Sequence, residues 1–160
     1  MDDATYISEI QAAADGEVQG EVIFKALMRA ADQEHAHKLQ ALADLEIRTG
    51  AEMQALMDRY SLKLAATNAS EAEVFARKYD GMGFRAVLQE WTDWIPAYVA
   101  RYATLAREAK PEDKAILDYL AAHEQAIMDF IELELAGKSD EAMAKVQAVL
   151  DRQVVSGMAR

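Results

Sequence analysis

Apolar residues recur at steps of four and three through most of this chain, the period of a helix that buries one stripe along its length. A first run over residues 3–30 carries the seam Tyr6, Ile10, Ala13, Glu17, Gly20, Phe24, Leu27 and Ala31. Asp15-Gly16 lies inside it, yet the phase is the same on both sides. Asp32 suits the N-cap of a second helix over 33–64, with His35, Leu39, Leu42, Glu46, Thr49, Met53, Leu56 and Tyr60 in phase. Gly50 weakens that helix by about 1 kcal/mol relative to alanine without breaking the period.

Thr67-Asn68-Ala69-Ser70 ends the second helix, and Ser70 followed by Glu73 is a capping-box signature for a short helix to about residue 78. Tyr79 to Gly83 reads as a turn. A third long helix is predicted over 84–109 through Leu88, Trp91, Ile95, Tyr98, Tyr102 and Leu105, with Pro96 imposing a kink or a helix start. Lys110-Pro111 separates it from a fourth over 111–136, carrying Ile116, Leu120, His123, Ile127 and Phe130. Gly137 is the C-cap candidate, residues 139–154 form a short terminal helix, and the last few residues are expected to fray. The pattern predicts an all-α fold in a single domain, residues 1–160: an antiparallel four-helix bundle with a long connection between its second and third helices.

Composition agrees. Of 160 residues 52% are apolar, while two prolines and seven glycines are too few for a turn-rich β fold. The absence of cysteine excludes disulfides and thiolate chemistry. The acidic start Met1-Asp2-Asp3 is unlike a secretory leader, and no apolar run approaches the roughly 20 residues of a membrane span, so a cytoplasmic protein is expected. A net charge of −11 with no basic stripe disfavours nucleic acid and anionic membranes as partners.

The chemistry lies in seam positions that are not apolar: Glu17, Glu46, Thr49 and His123, flanked by Glu21 and Glu124. Glu17 lies 15 residues before Asp32 and Glu46 lies 14 after it. In a hairpin turning at Asp32 both carboxylates reach one layer, about 20 Å from the turn at 1.5 Å per residue. His123, 13 residues beyond Lys110, comes to a similar depth. Buried carboxylates repel one another and lose hydration at a cost of several kcal/mol each. A divalent cation offsets that cost, and so does a proton shared by Glu17 and Glu46, or buried water. Thr49 is expected to bond its own helix backbone. Glu34 and His37 spell Glu-x-x-His, but at a helix start far from this layer. The stripe Trp91, Trp94, Tyr98, Tyr102 suits core or subunit contact, or a cofactor-facing wall.

Over roughly residues 3–136 this arrangement resembles the ferritin-like superfamily of ferritins, rubrerythrins and carboxylate-bridged di-iron oxygenases. There, one helix of each antiparallel pair supplies a Glu and the other a Glu-x-x-His, all pointing inward. Glu17 matches the first Glu, and Glu46 the Glu of the first Glu-x-x-His, with Thr49 in the histidine slot. The third helix offers only Glu90, and the fourth has His123-Glu124 where Glu-x-x-His belongs. The resemblance implies a site for iron or another divalent metal such as manganese or zinc, as a two-metal centre or as an altered one built from Glu17, Glu21, Glu46, His123 and Glu124. It implies oxygen- or peroxide-linked oxidoreductase chemistry at that metal, and a homodimer. A metal-free bundle serving as an interaction or structural module is the alternative.

Overall fold

A computed structural model describes residues 1–29 and 31–154. Among them the chain is all-α, with seven α-helices, one 3-10 turn and no strand. Helices α1 (Asp3–Met28) and α2 (Gln33–Arg59) begin on aspartates: Asp2 accepts from the Thr5 N–H and Asp32 from the His35 N–H. Each carboxylate satisfies an orphan donor and meets the positive end of the helix dipole. The two helices run antiparallel. Tyr6 meets Tyr60 at a ring-centroid distance of 6.1 Å, Gly50 lies beside Glu17, and Gly20 lies beside Glu46, so contacts advance along α1 as they retreat along α2.

α2 stops earlier than its apolar period suggests. Ser61 takes a left-handed φ of 55°, and the N–H groups of Ser61 and Leu62 bond back to the carbonyls of Asp58 and Met57. That is a Schellman closure with serine in the usual glycine position. α3 (Asn68–Ala76) starts two residues before the expected capping box, and Ser70 Oγ instead donates to the Thr67 carbonyl at 2.9 Å. The cause is tertiary: Asn68 Nδ2 donates to Asp15 Oδ1 at 2.6 Å and the Ala65 N–H donates to the same oxygen at 2.9 Å, pinning this segment to α1. A 3-10 turn (Arg77–Tyr79) follows.

The predicted third helix is two helices, α4 (Phe84–Trp91) and α5 (Ile95–Arg107), with Pro96 in the first turn of α5 where its missing N–H costs nothing. α6 (Lys114–Leu135) begins after a turn in which the Asp113 N–H bonds the Lys110 carbonyl. It ends on Gly137 at φ 75°, with Gly137 and Lys138 donating to the Glu134 and Leu133 carbonyls. The terminal helix α7 (Ser139–Leu150) packs on α6 and α2. The expected fraying of the last residues lies outside the described part of the chain. Among the described residues no helix is long and apolar enough to cross a membrane.

Two apolar clusters form the core. One gathers Phe24, Leu42, Leu88, Trp91, Ile127 and Phe130 towards the α1–α2 turn. The other gathers Ile10, Met53, Leu56, Leu105, Leu117 and Leu120 at the opposite end. Glu17, Glu46, Thr49 and His123, all buried, fall between them in sequence on α1, α2 and α6.

At the end of the second cluster, Asp113 is fully buried. Its carboxylate accepts from Tyr6 Oη at 2.8 Å and Tyr60 Oη at 2.5 Å, and it pairs with Arg59. One side chain thus ties α1, α2 and the start of α6 together. Asp113→Ala strands two hydroxyls and a guanidinium, and is expected to cost about 3 kcal/mol in urea unfolding. A loss below about 1 kcal/mol would show that Asp113 is not the tie described.

Candidate metal centre

Three helices deliver the polar layer: Glu17 from α1, Glu46 from α2 and His123 from α6. Their exposures are 3%, 6% and 1%. The imidazole lies between the carboxylates, with Nδ1 3.3 Å from Glu17 Oε2 and Nε2 3.5 Å from Glu46 Oε1. Neither contact has hydrogen-bond geometry: Glu17 Oε2 and both ring nitrogens lack a partner among the described residues. Buried polar atoms are rarely left this way, because each costs roughly 1–3 kcal/mol.

One ligand atom from each residue lies within 4.8 Å of the others, so this buried group is able to hold a metal. Two ligands at about 2.0–2.2 Å from one ion stand at most about 4.4 Å apart, and either imidazole–carboxylate distance falls inside that reach, although the two run to different ring nitrogens. Only one ring nitrogen would face a bound ion. The other would be left to donate to a carboxylate, the support that fixes a ligating histidine.

The surroundings fit the layer locally. Thr49 Oγ1 donates to the Leu45 carbonyl at 2.9 Å, closing its own need within α2. At Gly20 a Cβ would stand 2.4 Å from Glu46 Cδ, so the bare backbone of α1 makes the space that the Glu46 carboxylate occupies. Thr49, Gly20 and the apolar clusters leave the three ionisable groups to answer one another.

That shows in their proton affinities. Burial, then the charges of Glu46 and Glu124, hold the Glu17 carboxyl well above the usual carboxylate range. Glu124 is pushed up to about 7 by burial, against the downward pull of His123. Burial alone would push the His123 imidazolium down, but Glu46 and Glu124 outweigh it and the net shift is upward. The Tyr102 phenol is also raised, by burial and by the same three carboxylates.

Other sequence candidates are placed elsewhere. Glu21 is half-buried and pairs with Lys25 on its own helix. Glu124 is buried beside the three-residue group without belonging to it. Glu90 pairs with Lys78. Glu34 is exposed and paired with Lys38, while His35 Nδ1 lies 2.8 Å from Asp32 and its ring stacks on Phe84. Among the described residues the Glu34–His37 spacing makes no second cluster.

A cavity of about 580 Å³ opens on the layer, bounded by Glu17, Glu46 and Glu124 and by the aromatic stripe Trp91, Trp94, Tyr98 and Tyr102. The stripe was readable in the sequence; the void was not. Its one signal was Gly16 and Gly20, four residues apart on either side of Glu17. The chain matches no family model, no curated protein and no solved structure.

The pH response has a definite sign without metal. Folded Glu17 and Glu124 keep protons that the unfolded chain releases above about pH 4.5, so stability falls as pH rises from there. His123 contributes fully below about 6.5 and loses its contribution as pH passes its raised folded value. The thermal midpoint of chelator-treated protein should drop between pH 5 and 8, with Glu124 alone worth about 3 kcal/mol. A flat or rising midpoint over that range would contradict the buried cluster.

Proposed function

We propose that this chain is a ferritin-like helical protein that holds one divalent metal ion, iron or manganese, between α1, α2 and α6. The observation that carries this reading is the convergence of buried Glu17, Glu46 and His123, with Glu17 Oε2 and both imidazole nitrogens left without a hydrogen-bond partner among the described residues. Two carboxylates and an imidazole are donors that iron, manganese and zinc accept, and the oxygen-rich set leans towards the harder of these ions. A cation between the carboxylates removes their repulsion and favours the ionised form of both.

The ferritin-like part of the reading draws on two antiparallel pairs, α1–α2 and α5–α6, joined by residues 60–83 that carry α3 across α1. The pattern is altered where α4 and α5 separate and Glu90 turns to Lys78, so the ligands come from three helices and suit one ion.

Glu17, Glu46 and His123 would supply three protein ligands, and an ion held by them would be reachable from the cavity that Glu17 and Glu46 border. A redox-active ion held there would supply electron transfer to dioxygen or peroxide, and the natural class would then be an oxidoreductase. The chain's own contribution is shape. The apolar clusters close the layer at both ends, Gly20 leaves Glu46 its place, and the Tyr102 hydroxyl stays protonated beside the carboxylates.

A metal-free reading has one observation in its favour: each imidazole nitrogen faces a different carboxylate, as in an imidazolium held between two acids. The polar layer would then be structural, and the chain a helical interaction module.

Elemental analysis of protein purified without added metal separates the two. About one equivalent of iron or manganese is expected in the native chain, with less than a tenth of that in Glu46→Ala. No metal in the native chain, with thermal stability unchanged or raised in Glu46→Leu, would leave the metal-free module.

Gly20→Ala is a sharper probe. The substitution favours the helix by about 1 kcal/mol but drives Glu46 from its place. It should keep the thermal midpoint and lower metal affinity at least tenfold; undiminished affinity would show that the position of Glu46 is not set by Gly20.

A further inference from the structure

The three-residue cluster leaves one buried acid over. Glu124 follows His123 on α6, is 6% exposed and borders the cavity. It has no hydrogen-bond or ion-pair partner among the described residues, unlike Glu9, Glu21, Glu52, Glu90 and Glu134, each of which meets a cation. A carboxylate in that setting lacks a direct positive partner, since the neighbouring His123 imidazole lies between Glu17 and Glu46.

The opposite wall narrows what that group is. Phe75, Trp94, Tyr98 and Tyr102 follow one another edge to face, at centroid distances of 6.4, 5.8 and 6.2 Å, and Trp91 joins Trp94 at 6.2 Å. A second hydrated metal ion gains little from such a wall. An anion meets four carboxylates, Glu17, Glu46, Glu71 and Glu124, and Lys78, the one cationic residue among the described lining, is already paired with Glu90. An organic ammonium gains twice, from a charge-assisted hydrogen bond to the carboxylate and from the faces of the aromatic rings.

Size agrees. About 580 Å³ lies within the roughly 300–1,000 Å³ of small-molecule sites. α1 keeps the cavity open with glycine: a Cβ on Gly16 would come within 3.1 Å of Tyr102 Oη.

We propose that this cavity binds a small organic ammonium, a primary amine on a body of about one aromatic ring, with its nitrogen on Glu124 and its ring against Trp94 and Tyr98. As the substrate site of a metal centre this rests on the reading above; as an amine site it stands without metal.

The test uses three probes of like shape and different charge: 2-phenylethylamine, 2-phenylethanol and 3-phenylpropanoate. Each is titrated calorimetrically into the whole chain, once after chelator treatment and once after loading with Mn²⁺. The amine is expected to bind at least tenfold more tightly than the alcohol, and the propanoate not measurably. Glu124→Gln should abolish the preference for amine over alcohol while leaving the alcohol unchanged. Tyr98→Leu, at a position 39% exposed and so tolerant of change, should weaken amine and alcohol alike. Equal affinity for amine and alcohol, tighter propanoate binding, no binding of any probe, or a preference that survives in Glu124→Gln each overturns the proposal. One-for-one competition between amine and Mn²⁺ also overturns it, because the amine would then sit on the Glu17–Glu46–His123 cluster. Failure of Mn²⁺ to bind counts against the metal reading alone, since the chelator-treated titration still reports on the amine.

Discussion

Two carboxylates and an imidazole in one dry layer set the terms for this structure. Removing such groups from water costs several kcal/mol apiece even after relaxation, against a total stability of roughly 5–15 kcal/mol for a domain of this size. The layer is therefore affordable only if its members answer one another's charge or an ion does so. Hydrophobic contact cannot answer a charge, but it can hold the charges in place. The apolar clusters on either side do this, closing the layer from both ends.

Holding the layer in register is a separate task. A helix turns about 100° and rises 1.5 Å per residue, so a slip of one residue would swing Glu17, Glu46 or His123 off the seam. Each end of the paired helices carries a charged tie against such slip. At one end Asp113 gathers Tyr6, Tyr60 and Arg59. At the other, buried Lys38 on α2 reaches Glu134 near the end of α6 at 3.0 Å, with Glu34 at the same distance. Neither tie is chemically suggestive alone, yet together they fix the height at which three helices meet.

The main features of this layer were legible because a polar residue on an otherwise apolar seam is an anomaly that periodicity exposes. Glu17, Glu46 and His123 stood out in that way, Asp32 fixed the turn from which their heights were counted, and Thr49 met its own backbone as its chemistry suggests. Features decided by partners distant in sequence were not legible. Glu21 lies one turn beyond Glu17, but four residues carry it about 40° around the helix, and Lys25 takes it. The start of α3 is set by Asp15 on another helix, and the end of α2 by a left-handed serine where a glycine would have announced it. Asp113 looked like one acid of many at a helix start, and nothing nearby in sequence shows that two tyrosines converge on it.

Gly20 bears on whether the layer is built or incidental. Glycine in a helix interior gives up about 1 kcal/mol to alanine, and α1 carries it at the point where a methyl group would overlap the Glu46 carboxylate. Gly50 is a useful contrast: a Cβ there would make ordinary contact with Glu17 at 3.6 Å, so space for the acid does not require it. Of two helix glycines facing the layer, only one is demanded by the position of a ligand atom. A polar layer that merely survived in a stable scaffold would have no need of that accommodation, because a leucine at position 46 would fill the seam without an acid to place. The helix gives up intrinsic stability at Gly20 and gains room for a carboxylate that faces both His123 and the cavity. That coincidence of backbone and chemistry ties the glycine to the site rather than to the fold.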